Sequence, residues 1–289
     1  MTIPRAAARL AALAVAVGAV AGAVSAQFSS SVTLVEVYAT VTTRSGDVVT
    51  DLRAADFAVT DDGVPRDVAA FANGTFPLSV AVAVDRSFSM NGKQLAFVQD
   101  AALQFLGALR PDDEAAVIGI SSVVETLAPL STDRAAQRLA VAQLTPWGTT
   151  RLHDAVLDAL MRIESARGRR ALVILSDADD RGSTASAREV IERVRGTDVL
   201  CYPVVVGPRN SSLFTQLAAF TGGRAFWVKD ASDLDDAFLA IAGELRQQYL
   251  IGFAPVAVAA GAERRFRRVE VRTPGRDTVI RARPGYFAP

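Results

Sequence analysis

Asp85, Ser87 and Ser89 sit two residues apart in Ser79-Val80-Ala81-Val82-Ala83-Val84-Asp85-Arg86-Ser87-Phe88-Ser89, where an apolar run ends on a carboxylate and hydroxyls follow. Two more oxygen sources lie downstream. Trp147-Gly148-Thr149 sets a threonine in a turn before a helical pattern, and Leu172-Val173-Ile174-Leu175-Ser176-Asp177 ends a second apolar run on an acid. Asp85, Ser87, Ser89, Thr149 and Asp177 together offer two carboxylates and three hydroxyls. Such an all-oxygen set suits a hard cation, Mg2+ first, then Ca2+ or Mn2+. With only two negative charges around it the ion would stay electrophilic, and an open coordination position would take a carboxylate from a partner. The competing reading is that these residues are helix caps and turn formers, for which Ser, Thr and Asp are default choices. Asp-x-Ser-x-Ser alone occurs by chance in roughly one chain in ten of this length. Its place at the C-terminal end of a buried strand, where open α/β sheets put ligands, sharpens it.

The elements that must position these residues run from Pro77 to about Gln247. Apolar runs at 78–84, 115–120, 171–175, 199–206 and 225–228 read as strands, with 123–127 as a hairpin partner of the second. Helical spacing recurs at 94–109, 134–144, 152–163, 185–195, 212–220 and 234–245. Continuous apolar strands alternating with helices imply a doubly wound, mainly parallel sheet covered on both faces. The flanks have a different texture. At 32–41 apolar and polar residues alternate, and Asp61-Asp62-Gly63 reads as a hairpin turn between 57–59 and 68–71. Strand patterns return at 249–253, 266–271 and 279–282, with Arg267, Glu270 and Arg272 expected on the solvent side. Neither flank alone buries much. Residues 27–76 and 248–289 are therefore expected to pair into one small β domain with the α/β domain, 77–247, inserted between them.

The three oxygen-bearing segments resemble the metal-ion-dependent adhesion site of von Willebrand factor A (VWA) domains: Asp-x-Ser-x-Ser, a Gly-x-Thr turn and a strand-terminal Asp. The order of strands and helices from Pro77 to Gln247 is similar to that family's. The flanks, including Arg281-Ala282-Arg283-Pro284-Gly285-Tyr286-Phe287, resemble those of an exported bacterial subgroup. The resemblance implies a Rossmann-like fold, with Ser87, Ser89 and Thr149 touching the ion and Asp85 and Asp177 bound directly or through water. Two departures stand out. The family's Gly-Gly-Thr is Trp147-Gly148-Thr149 here, and the glycine that often follows the strand-terminal Asp is Ala178. If residue 178 must adopt positive φ, alanine costs ~1–2 kcal/mol there.

Composition narrows the alternatives. Formal charge is zero, with 31 basic and 31 acidic residues in 289, so no net field favours nucleic acid or an anionic membrane. One cysteine, Cys201, excludes an internal disulfide and a thiolate metal site; within 199–206 it reads as a small buried apolar residue. One histidine, His153, leaves no His-rich zinc site and reads as incidental. Asp179 and Asp180 read as loop residues, and Phe88 and Trp147 as candidate partner contacts. Arg5 and Arg9 precede an apolar run at 10–24 and the small residues Val24-Ser25-Ala26. That is a signal-peptide pattern with cleavage after Ala26, implying a secreted or periplasmic chain with no stable membrane span.

The leading expectation is a non-enzymatic, metal-dependent module that binds a protein or peptide presenting a carboxylate. A metal-independent scaffold in an envelope complex is the alternative. A hydrolase is the weaker third, because Asp177 and Asp179 lack the nearby Lys of an aspartate-nucleophile phosphatase and no Gly-x-Ser-x-Gly elbow occurs.

Overall fold

Strict alternation makes the first strand. Val35, Val37, Ala39 and Val41 lie on one buried face of β1 (Val35–Thr42) in the computed structural model, which describes residues 34–74, 76–256 and 265–288. The N-terminal flank continues through β2 (Ala58–Asp61), β3 (Val64–Arg66) and β4 (Ala70–Asn73). The α/β region then runs β5 (Leu78–Asp85), α1 (Lys93–Ala108), β6 (Glu114–Ile120), β7 (Val124–Ser131), α2 (Arg134–Ala142), α3 (Leu152–Ile163) and β8 (Arg169–Ser176). It closes with α4 (Ala187–Arg195), β9 (Leu200–Val206), α5 (Ser212–Thr221), β10 (Phe226–Val228) and α6 (Ala231–Arg246). The C-terminal flank holds β11 (Tyr249–Phe253), β12 (Phe266–Arg272), β13 (Val279–Ala282) and β14 (Gly285–Phe287).

The central sheet has six strands in the order β10-β9-β8-β5-β6-β7, parallel except for the hairpin strand β7. Its strands read as unbroken apolar runs because both faces are covered. Val80, Val82 and Val84 of β5 join a core with Phe105 of α1 and Phe238 and Ile241 of α6. Ala81 and Ala83 face the other way, toward Leu160 of α3, Val190 of α4 and Phe214 of α5. The small side chains Ala81 and Ala83 let α3 approach β5 closely. Both layers meet the doubly wound expectation.

The flanks form two four-stranded antiparallel sheets, β13-β1-β11-β4 and β14-β12-β2-β3, each mixing strands from both ends of the chain. They share a core of their own, with Val37, Phe57, Ile251, Phe253 and Tyr286 buried together. Flank strands reach the N-terminal edge of the central sheet. Arg169, at the start of β8, is fully buried and donates to Gln248 (3.4 Å), whose amide donates to Thr40 of β1 (3.0 Å). Gly222, at the end of α5 with φ 81°, lies so close to Ala282 that a β-carbon would come within 2.7 Å of its backbone.

Three expectations need correction. The turn at Asp61-Asp62-Gly63 forms, but β2 pairs with β3 at 64–66; the 68–71 segment instead supplies β4, next to β11 in the other sheet. Arg267 faces inward. It lies on the same face of β12 as Val269, is 4% exposed, and donates to the fully buried Asp61 at 2.8 Å. Strand periodicity of two puts 267 with 269, not with 270 and 272. A last strand, β14, appears where none was expected and pairs with β12. Among the described residues no helix is long and apolar enough to cross a membrane. The apolar run 10–24 and the expected cleavage point after Ala26 lie outside the described residues.

Candidate functional site

Strand β5 delivers Asp85 fully buried to the C-terminal edge of the central sheet. One carboxylate oxygen accepts the Ser87 backbone N–H at 2.9 Å and the other accepts the Ser176 hydroxyl at 2.6 Å. The chain then turns through a short 3-10 segment, Phe88–Met90, and the Ser87 and Ser89 hydroxyl oxygens stand 3.1 Å apart. The Thr149 loop is stitched to this one by two backbone bonds: Phe88 N–H to Gly148 C=O (3.0 Å) and Trp147 N–H to Arg86 C=O (2.7 Å). The loop after β8 joins in turn, with Arg181 N–H on Thr150 C=O at 2.8 Å. The three oxygen-bearing loops thus form one hydrogen-bonded cluster at a single sheet edge.

The local sequence explains the turns. Gly148 has φ 70°, and a β-carbon there would fall 2.4 Å from the Ser122 hydroxyl. That close approach lets Ser122 accept the Thr149 backbone N–H at 2.9 Å and sit 3.1 Å from the Thr149 hydroxyl. Ala178 is held at φ 62°, the left-handed conformation that a glycine adopts without strain. Its N–H is accepted by the Ser176 hydroxyl at 3.0 Å, the same hydroxyl that donates to Asp85. Ser176 therefore fixes the turn beyond Asp177 and the orientation of Asp85 together.

Capping accounts for some of the polar residues in this chain, but not for the site hydroxyls. Asp133, Ser186, Ser211 and Asp230 each cap a helix through the side chain. Ser87 makes no side-chain cap, and α1 and α3 start from Gly92 and Arg151 without one. The two carboxylates do serve turns. Asp85 accepts from Ser87 N–H, and Asp177 accepts from Asp179 N–H at 3.2 Å.

The electrostatics of the two acids differ. Burial pushes the Asp85 carboxyl above the ordinary carboxylate range; hydrogen bonds from Ser176 and Ser87 pull it back in part, and the nearby charge of Asp177 adds to the rise. Among the described residues Asp85 has no ion-pair partner. A cation placed against it would relieve that cost, so the donor set fits a hard divalent ion. Among the described residues no group of three or more His, Cys, Asp or Glu could hold a metal, so an ion would depend on the mixed carboxylate and hydroxyl set. Asp177, by contrast, already has a cation: Arg209, in the loop between β9 and α5, lies 2.8 Å from one carboxylate oxygen and 3.3 Å from Asp179.

The rim of the cluster is apolar. Phe88 is 65% exposed and Trp147 45% exposed, with the Arg86 guanidinium 5.7 Å from the Trp147 ring centroid. Val123 is exposed in the neighbouring β6–β7 turn. The lesser residues are structural. His153 Nδ1 lies 3.0 Å from Ala185 C=O, and the His153 backbone N–H donates to Asp180, tying α3 to the loop before α4. Asp179 is paired with Arg181 as well as Arg209. Cys201 is fully buried, its thiol pushed up to about 12 by burial.

Ser122, Ser176 and Arg209 escaped the sequence reading. Ser176 had a visible signal, standing beside Asp177 at the end of an apolar run. Ser122 and Arg209 had none, because each meets the site only through the packing of a separate loop, the β6–β7 turn and the β9–α5 connection.

Residues 80–180 match the family model described as von Willebrand factor type A domain. The chain is similar to a von Willebrand factor type A structure from Catenulispora acidiphila, at 13% identity and TM-score 0.55, over 90% of this chain and 74% of that one. It is also similar to proximal thread matrix protein 1 from the mussel byssus, a structure with a zinc-occupied MIDAS motif. That match has 16% identity and TM-score 0.53 over 62% of this chain and 48% of the other. At such identities the likeness is one of fold. No curated protein matches the chain.

Proposed function

We propose that this chain, which carries a von Willebrand factor type A domain matched over residues 80–180, is an exported binding module that captures an acidic group of a protein or peptide partner through a divalent cation. Asp85, Ser87, Ser89, Thr149 and Asp177 would hold the ion, which would supply Lewis acidity toward the partner's carboxylate. Mg2+ suits the donors best, with Mn2+ and Ca2+ next. The observation that carries this reading is the buried Asp85, which has no ion-pair partner among the described residues, beside two hydroxyls that cap nothing, on loops bonded to those of Thr149 and Asp177. Phe88 and Trp147 would press against the partner around the ion, excluding water from the carboxylate contact.

No catalytic role is assigned. His153, the single histidine, is engaged with Ala185 and Asp180 rather than with a site hydroxyl. Partner capture by the rim and the ion needs neither nucleic acid nor a membrane span. One observation favours the metal-independent scaffold instead: Arg209 already neutralises Asp177.

Retention of peptides on the immobilised chain separates the two. Peptides displaying Asp or Glu, and the same peptides with Asn or Gln, are compared in Mg2+ and in EDTA. Selective retention of the acidic set, lost in EDTA and in Asp85→Ala and Thr149→Ala, is expected. Retention indifferent to EDTA and to both substitutions would establish the scaffold.

A further inference from the structure

The Arg209 guanidinium bridges two carboxylates. Its Nη1 lies 2.8 Å from Asp177 and its Nη2 3.3 Å from Asp179. The pair is asymmetric: Asp177 is 8% exposed in its side chain, Arg209 48%. The other Asp177 oxygen accepts the Asp179 N–H at 3.2 Å. Both oxygens of this acid are therefore engaged, one of them by a cation, whereas among the described residues the Asp85, Ser87 and Ser89 side chains hydrogen-bond only with one another's groups and with Ser176. A divalent ion drawing on Asp177 meets a fixed positive charge already on that carboxylate, and two cations on one acid repel. Arg209 is on a short connection of its own: Gly207 at φ 113° ends β9, Pro208 follows, and α5 begins at Ser212 after the Ser211 cap. Its half-exposed side chain has room to leave toward solvent without disturbing the core.

We propose that Arg209 is an affinity-setting residue of this site, a built-in monovalent cation that competes with the divalent ion for Asp177. The inference rests on the metal-binding reading above. At low metal Arg209 supplies Asp177 with its counter-charge. Metal binding then carries the cost of displacing the guanidinium. A charge-assisted bond to a nearly buried acid gives this competition a size of about tenfold in affinity, or ~1.4 kcal/mol. Arg181 provides an internal control, since its side chain pairs with Asp179 and not with Asp177.

Mn2+ binding to the full chain, read as free Mn2+ by electron paramagnetic resonance, tests the competition directly. Wild type is compared with Arg209→Gln, Arg209→Lys, Arg181→Gln and Arg209→Gln combined with Asp85→Ala. Arg209→Gln should bind Mn2+ about tenfold more tightly, Arg209→Lys should stay near wild type, and Arg181→Gln should change affinity less than twofold. In EDTA the order inverts, with Arg209→Gln melting below wild type because Asp177 has lost its cation. Binding by Arg209→Gln alone, abolished by adding Asp85→Ala, would be the strongest support. Equal or weaker binding by Arg209→Gln, with wild type binding normally, overturns the competition and leaves the metal site standing. If neither wild type nor Arg209→Gln binds Mn2+ at millimolar concentration, both the competition and the metal reading fail.

Discussion

Ala178 holds a left-handed conformation, φ 62°, one residue past Asp177, where a β-carbon costs about 1–2 kcal/mol. The conformation survives because the Ser176 hydroxyl accepts the Ala178 N–H and donates to Asp85, so relaxing the turn would break two contacts at the candidate site. Glycine would remove the strain but add freedom to the unfolded chain. The balance predicts that Ala178→Gly stabilises the protein by about 0.5–1 kcal/mol, read as a higher urea midpoint at unchanged slope. An unchanged or lowered midpoint would contradict the strained turn. At this scale the sequence was informative about donors and silent about their supports. Asp85, Ser87, Ser89, Thr149 and Asp177 stand out by type and spacing, whereas Ser122 and Arg209 reach the site from the ends of β6 and β9, far away in sequence.

The elements divide by how their apolar residues are spaced. β5, β6, β8 and β9 carry both faces of a buried sheet and are continuous apolar runs, so their existence and order follow from the sequence. The helices follow from their spacing for the same reason. Flank strands are as short as three residues, and β1 with β11 and β13, and β2 with β12, pair across more than two hundred positions of chain, which local patterning does not encode. β4 likewise finds its partner in the distant β11, so nothing local detaches 68–71 from β2, and Arg267 meets Asp61 only across the β2–β12 pairing. The buried Arg267–Asp61 pair, with the Tyr286 hydroxyl 3.2 Å from Asp61, ties β12, β2 and β14 together. Removing one member leaves a buried charge unpaired, so Arg267→Met should destabilise the protein by about 3–5 kcal/mol in chemical denaturation. A loss below about 1 kcal/mol would show the pair to be solvated, as surface pairs are.

Across the molecule, the two edges of the central sheet are used differently. Its N-terminal edge meets the flank sheets, through Arg169, Gln248 and Thr40 and through the close approach of Gly222 to Ala282. Its C-terminal edge carries the oxygen cluster under the exposed Phe88 and Trp147. The flanks thereby add a second core without covering the loops of the candidate site. An ion that binds the folded loops and not the unfolded chain must stabilise the whole molecule. Thermal unfolding of the chain in EDTA and then in Mg2+, Mn2+ and Ca2+, with Asp85→Ala alongside, measures it. An ion at one hundred times its dissociation constant contributes about 2.7 kcal/mol, which for a domain of this size raises the midpoint by roughly 5–10 °C. That rise is expected in wild type, and its loss in Asp85→Ala. A midpoint that no ion moves at millimolar concentration, or that moves equally in Asp85→Ala, would contradict a metal site at Asp85.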